Sequence, residues 1–249
     1  MSLSAPVPGI FWVSSGVLPA YKDALPYDNY VKWYENVHIP DWMGGKAGAI
    51  TTAWRYQSAD ARRPTPFLVT YKYPDVAALA APEFLNVTLT DPALPGGGPV
   101  NKVAQFIAMA GPHVETWKSG STGDERGPIL VTEAIEPSFK TNPVNYTDFF
   151  EDWYHSTYIG EVSRLPGWRR TSRFNNTMGG GPRLLALHEF DESAFEANTT
   201  KIPGLLGSSA DTKYVQGTAK SIEMVLWRLV RVYGDGTVPW GEPWEDKII

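Results

Sequence analysis

The chain has 249 residues and not one cysteine. That absence excludes disulfides, thiolate metal sites, iron–sulfur clusters and a cysteine nucleophile together. Nor is there a run of about eighteen apolar residues, and the opening MSLSAPVPGIFWV carries no positive charge ahead of its short apolar stretch. The sequence therefore predicts a soluble, cytoplasmic protein with no membrane partner. Long basic runs are missing too. With 22 Lys and Arg against 27 Asp and Glu, a formal net charge of -5, nucleic acid is not an expected partner. The glycine-rich turns GGKAG (44–48), LPGGGP (94–99) and TMGGGP (177–182) match neither the P-loop nor the dinucleotide-binding pattern, and no serine-nucleophile elbow occurs.

What the chain has in quantity is aromatic residues, ten Trp, twelve Tyr and ten Phe, more than packing alone requires. An aromatic-lined, apolar cleft follows as an expectation.

The chain also repeats itself. DNYVKWYENVHIPDWM (28–43) matches DFFEDWYHSTYIGEVS (148–163), setting Trp33 against Trp153, Tyr34 against Tyr154 and Ile39 against Ile159. Before it, GIFWVSS (9–15) parallels PILVTEA (128–134). After it, GAITTAWRYQ (48–57) parallels GWRRTSRFNN (167–176), FLVTYKYPD (67–75) parallels LLALHEFDE (184–192), and VAQFIAMAGPHVETWKSG (103–120) parallels AKSIEMVLWRLVRVYGDG (219–236). Five segments agree in order. Runs of β-branched and aromatic residues between turn formers, and helical spacings such as Tyr30, Tyr34, Val37, make each copy read strand, helix, strand, strand, helix, strand. This is the ferredoxin-like βαββαβ order. The expected fold is α+β: a first repeat over 1–120 and a second over 121–249, joined through the apolar-free stretch SGSTGDERG (119–127). Their two sheets are expected to pack face to face as an intrachain dimeric α/β barrel.

For chemistry, His38 falls four residues after Tyr34, on the same helical face, with Pro40 ending the helix soon after. Asp41 is placed to hold one ring nitrogen, so that the other acts as acid or base. Across the repeat His38 stands opposite Tyr158, another proton-bearing ring. Tyr34, Tyr158 and Arg55 are candidate donors to a developing enolate. Trp12, Trp42, Trp54, Arg55, Tyr71 and His188 are candidate substrate contacts. His38, Asp41 and Glu35 lack the tight spacing of metal ligands, so no metal and no cofactor is expected.

The segment WYENVHIPD followed by Arg55 and Tyr56, and again WYHSTYIGEVSRLPGWRRTSRF, resembles the EthD-like members of the dimeric α/β barrel superfamily, in particular their duplicated fungal forms. The resemblance covers both repeats. It implies small-molecule chemistry: cofactor-free oxygenation of anthrone-like phenols, cyclisation or dehydration of polyketides, or decarboxylation. Similar two-unit barrels bind haem through a His of the C-terminal half, for which His155 and His188 are the candidates in this chain. The leading expectation is a cofactor-independent acid/base enzyme of secondary metabolism, a lyase or cyclase acting on an aromatic, polyketide-like or other apolar intermediate. The alternatives are a cofactor-free monooxygenase and a non-catalytic binding protein for an apolar metabolite. The protein is expected to work as a monomer or homodimer, with one working cleft in the N-terminal half.

Overall fold

The computed structural model describes residues 5–43, 50–85, 87–138, 146–194, 207, 209–236 and 247–249. The glycine turn at 44–48 lies outside them. The chain resolves into two compact units, one of 1–112 with 230–241, the other of 113–229 with 242–249.

In the first unit β1 (Gly9–Val17) pairs antiparallel with β3 (Phe67–Tyr73), and β3 with β2 (Thr52–Ser58). The other edge of β1 is taken by residues 104–112 of β4 (Ala104–Lys118). In the second unit β5 (Ile129–Glu136) pairs with β7 (Leu184–Phe190), and β7 with β6 (Trp168–Asn175). Residues 221–228 of β8 (Ser221–Gly234) pair with β5, and residues 113–118 of β4 pair with β6. A two-residue strand, β9 (Lys247–Ile248), adds parallel to β4.

These pairings overturn the expectation of two separate α+β sheets stacked face to face. The strands hydrogen-bond in one series, β1-β3-β2-β8-β5-β7-β6-β4, and β4 returns to pair with β1, so the antiparallel series closes on itself. The reason lies in strand length. At 15 and 14 residues, β4 and β8 are too long to be spent in one sheet, and each divides between two sets of partners. Closing the series removes the edges that two open sheets would leave unpaired.

Helix is the minor component. In the first unit α1 (Tyr27–Trp33) runs into a wide π turn (Tyr34–His38) and then α2 (Ile39–Asp41). The second unit repeats this as α3 (Tyr146–Trp153), a π turn (Tyr154–Tyr158) and α4 (Ile159–Ser163). Pro40 does not end the helix as expected. The π turn leaves it in the first turn of α2, where a missing N–H costs nothing. The second helix predicted for each copy forms only in the second, as α5 (Ala210–Thr218). The first copy has short 3-10 turns there, at Val76–Ala80, Pro82–Leu85, Pro95–Gly97 and Val100–Lys102, because its prolines and the positive-φ glycines 96 to 98 interrupt any longer helix.

Each unit buries its own core between helix and sheet. On β1 the odd-numbered residues Phe11 and Val13 join Tyr30, Trp33, Tyr34, Tyr71 and Trp42. On β5 the odd-numbered Ile129, Val131 and Ile135 join Phe150, Trp153, Tyr154 and Tyr158. No helix among the described residues is long and apolar enough to cross a membrane.

Candidate functional site

In the first unit Tyr30, Trp33 and Tyr34 line the inward face of α1, and the π turn brings His38 and then Trp42 onto that face. Both nitrogens of His38 are engaged. Nδ1 lies 3.3 Å from the carbonyl oxygen of Thr88, and Trp42 donates its Nε1–H to Nε2 at 3.0 Å. Since Trp42 can only donate, Nε2 carries the lone pair and Nδ1 the proton. The ring stacks on Trp33 with centroids 4.9 Å apart and meets Tyr34 edge-on at 5.0 Å. Burial pushes its pKa down to about 4, against the opposing pull of the Thr88 carbonyl and Asp41. His38 is thus a neutral imidazole. Asp41 accepts the backbone N–H of Thr88 at 3.1 Å, so it steadies the peptide whose carbonyl receives His38, rather than clasping the ring as its spacing had suggested.

Beside His38 lies a group of hydroxyls. Those of Tyr34, Tyr71 and Tyr233 are buried with no hydrogen bond of normal geometry, Tyr34 interacting more loosely with Ser15 and Tyr71, and Tyr233 with Arg55. Burial raises the pKa of all three, and the proximity of Tyr34 adds to that of Tyr71. They stay protonated donors at neutral pH. Arg55 pairs with Glu35 at 2.6 Å, and Glu35 is also held by Arg231 at 2.8 Å. Phe11, Trp42, Tyr71 and Phe84 form a connected aromatic wall, with centroids 5.0 to 5.8 Å apart. A cleft of about 530 Å³ opens elsewhere on this unit, between Leu25, Tyr27, Phe67 and Pro64, with Lys22 and Arg63 at its walls. From it the rings of Tyr27, Phe67, Tyr30 and Tyr34 pack in succession at 4.9, 5.2 and 5.6 Å.

The structure therefore brings together His38, Tyr34, Trp42, Tyr71 and Arg55, with Asp41 one peptide removed. Trp12 and Trp54 are not among them. Both pair with Thr70 of β3, in the even-numbered row, and so sit on the opposite sheet face from Phe11, Arg55 and Tyr71.

Tyr158 and His188 belong to the second unit and meet on Glu133, a residue that sequence reading missed. Tyr158 donates to Glu133 Oε1 at 2.8 Å, and His188 Nε2 lies 3.3 Å from Oε2. His188 Nδ1 is 3.0 Å from Thr171 Oγ1, which also accepts from Trp168 Nε1 at 3.0 Å. All are buried. Glu133 was detectable as the one charge in PILVTEA, but the sequence alignment set it opposite Ser14. The strand registers correct this by one residue. Phe11 faces Tyr71 as Val131 faces His188, so Glu133 corresponds to the core residue Val13.

Also in this unit, Glu115, Glu151 and His155 offer ligand atoms within 4.8 Å of one another. The group is already neutralised. Arg173 binds both carboxylates and Lys247 reaches Glu115 at 2.6 Å, so it is an ion-pair network and not a cation site. A haem does not fit the two histidines of this half either: His188 is enclosed with both nitrogens engaged, and His155 Nε2 is 2.8 Å from Glu115.

No protein-family model matches the chain. It is 22% identical over 249 residues to core atranone cluster protein 1 of Stachybotrys chlorohalonatus, covering 93% of this chain and 94% of that protein. Among solved structures it resembles an anthrone oxidase-like protein with a TM-score of 0.58 at 13% identity, covering 96% of this chain and 98% of that one. It also resembles a chlorite dismutase of Candidatus Nitrospira defluvii with a TM-score of 0.55 at 8% identity, covering 92% and 93%. At such identities the likeness is one of fold alone, and it does not single out the EthD family.

Proposed function

We propose that the chain is an enzyme of secondary metabolism, EthD-like in kind, that moves a proton on an aromatic or polyketide-like substrate in the first unit without a bound cofactor. The observation that carries this is the pairing of a neutral imidazole, His38, with the hydroxyls of Tyr34 and Tyr71, held only loosely by each other and by Ser15, in one apolar interior. The imidazole lone pair at Nε2 takes a proton from carbon once a substrate displaces the Trp42 N–H. The phenols donate to the oxygen on which charge develops. A base of pKa about 4 suffices where such donors strengthen the carbon acid. Cyclisation, dehydration and decarboxylation all pass through such an enolate. The relationship to a protein of a fungal biosynthetic cluster supports the metabolic setting.

The test uses a hydroxyanthrone as probe, anaerobically in D2O. The chain should accelerate deuterium entry at the acidic ring carbon, and His38→Gln should abolish the acceleration. Exchange that is not catalysed, or that survives in the variant, removes this reading. A cofactor-free monooxygenase is the second reading, favoured by the likeness to an anthrone oxidase-like protein. Under air it predicts oxygen uptake stoichiometric with anthrone loss. The double engagement of His38 favours a third reading, a binding protein, which predicts tight binding with neither exchange nor oxygen uptake.

A further inference from the structure

The cleft of about 530 Å³ in the first unit takes no part in the chemistry assigned to His38, yet it has the parts of a binding site. Its size falls within the roughly 300–1,000 Å³ that small-molecule pockets span. The floor is apolar, with Leu25 1% exposed, Phe67 4% exposed, and Val17 lining it beside them. Tyr27 is 49% exposed and packs on Phe67 with centroids 4.9 Å apart, so much of an aromatic ring is left open at the cleft. One wall comes from the loop between β2 and β3, which contributes Ala61, Arg63, Pro64 and Pro66. Gly16 of β1 lets that loop approach, since a Cβ there would collide with the Pro64 carbonyl. The Ser58 N–H donates to the Pro66 carbonyl at 2.8 Å, and the two prolines fix their own φ, so the wall is formed in advance of any ligand.

The polar groups facing the cleft are donors. Lys22 makes no ion pair among the described residues, and Arg63 adds a second positive charge. Tyr27 gives its hydroxyl to Gln57 Oε1 at 2.6 Å, which occupies the acceptor of that amide and leaves its N–H groups. Among the described residues no carboxylate lines the cleft. Asp60, in the same loop, is taken by Arg62 at 3.1 Å, and both of those side chains are more than half exposed. In a chain of net charge -5, two cations and an amide over an apolar floor make a local complement to an anion.

We propose that this cleft binds an aromatic carboxylate, with its rings against Tyr27, Phe67 and Leu25 and its carboxylate on Arg63 and Lys22. The site goes beyond the proton chemistry of His38 and does not rest on it. The charge of the ligand is set by the two cations, and the planar fork of Arg63 suits the two oxygens of a carboxylate. Its aromatic body is set by the open ring of Tyr27, on which a flat ligand stacks.

The probe is 2-naphthoate, titrated by calorimetry into the full chain at neutral pH. Run beside it are 2-naphthamide, its uncharged counterpart, and decanoate, an aliphatic carboxylate. One equivalent of 2-naphthoate should bind, roughly tenfold or more tighter than either comparison compound. Lys22→Gln and Arg63→Gln should each weaken it about threefold to fivefold, the worth of a charge contact at a partly exposed site, and added salt should weaken it in the parent. Ala61→Trp fills the cleft without altering its charge and should abolish binding. Lys32→Gln removes an exposed charge that does not line the cleft and should bind as the parent does. All four substitutions fall on exposed or partly exposed residues, so the variants keep the fold, which urea unfolding of each checks. Absence of binding, equal binding of the amide, tighter binding of decanoate, or an Ala61→Trp protein that binds as the parent does would each overturn the proposal.

Discussion

His38 makes a stability prediction independent of any substrate. Its pKa is about 4 in the folded chain against an ordinary 6.5, because the ring is 5% exposed and cannot afford a charge. Between those values the unfolded chain holds a proton that the native one does not, so stability falls as the pH falls. The contribution is complete above pH 6.5 and is lost as pH drops through the interval toward 4. At about pH 5 the loss is the distance from 6.5 multiplied by about 1.4 kcal/mol per unit, or about 2 kcal/mol. Other carboxylates titrate over the same range, so the parent alone does not isolate the effect. The variant His38→Gln does: its amide can still give to the Thr88 carbonyl and accept from Trp42, but it has no proton to gain. Urea unfolding of both proteins at about pH 7.5 and about pH 5 gives the difference in stability at each. The parent should lose about 2 kcal/mol relative to the variant on acidification. An unchanged difference would refute the claim that His38 is held neutral by burial, and the base assigned to it with it.

Two further measurements test the contrast between the units and the buried charges. Tyr158→Phe removes a hydroxyl bonded to Glu133 at 2.8 Å and should cost about 1–3 kcal/mol in urea unfolding, whereas Tyr34→Phe removes one with no hydrogen bond of normal geometry and should cost under about 1 kcal/mol or stabilise. Equal costs would deny the difference in hydrogen bonding. Glu189 is fully buried, yet Arg126 and Arg170 overcome the cost of burial and hold its carboxyl below the usual range, so Glu189→Gln should destabilise by about 3–5 kcal/mol; a loss below about 1 kcal/mol would show the network to be dispensable.

How far the sequence could be read depended on the range of the interactions involved. The repeat was legible because WYENVHI and WYHSTYI carry the same inward helix face, and the grouping of His38 with Tyr34 followed from helical spacing. The π turn was not legible, since it depends on backbone packing and not on side-chain periodicity, and it is what carries the helix past Pro40. Strand division was hidden for a similar reason: nothing in the composition of β4 marks His113 as the point where its partners change. A one-residue error in aligning β1 with β5 was enough to hide Glu133, because side chains alternate faces along a strand. The same alternation sets Trp12 and Trp54 on the sheet face opposite His38's neighbours.

The ion pairs around the two central arginines show why aligning residue types alone undervalues such a repeat. Arg55 and Arg173 correspond, and each is held by a carboxylate that also binds a second cation. In the first unit that carboxylate is Glu35 on the helix, and the second cation is Arg231 on the terminal strand. In the second, the helix position holds His155 and the strand position Glu115, so acid and base have traded places while the pairing persists at 2.8 Å. Position by position these exchanges look like divergence. Yet Glu115 lies between two cations, Arg173 and Lys247, as Glu35 lies between Arg55 and Arg231, so the two networks balance charge alike. The guanidinium of Arg173 lies 4.1 Å from the Tyr154 ring centre, and the charge of Arg55 acts on the corresponding Tyr34, so in both units the network sets a cation near the same phenol. Across the core from that phenol the units part company: Glu133 meets Tyr158 and His188 in the second, where the first has Val13, His38 and Tyr71.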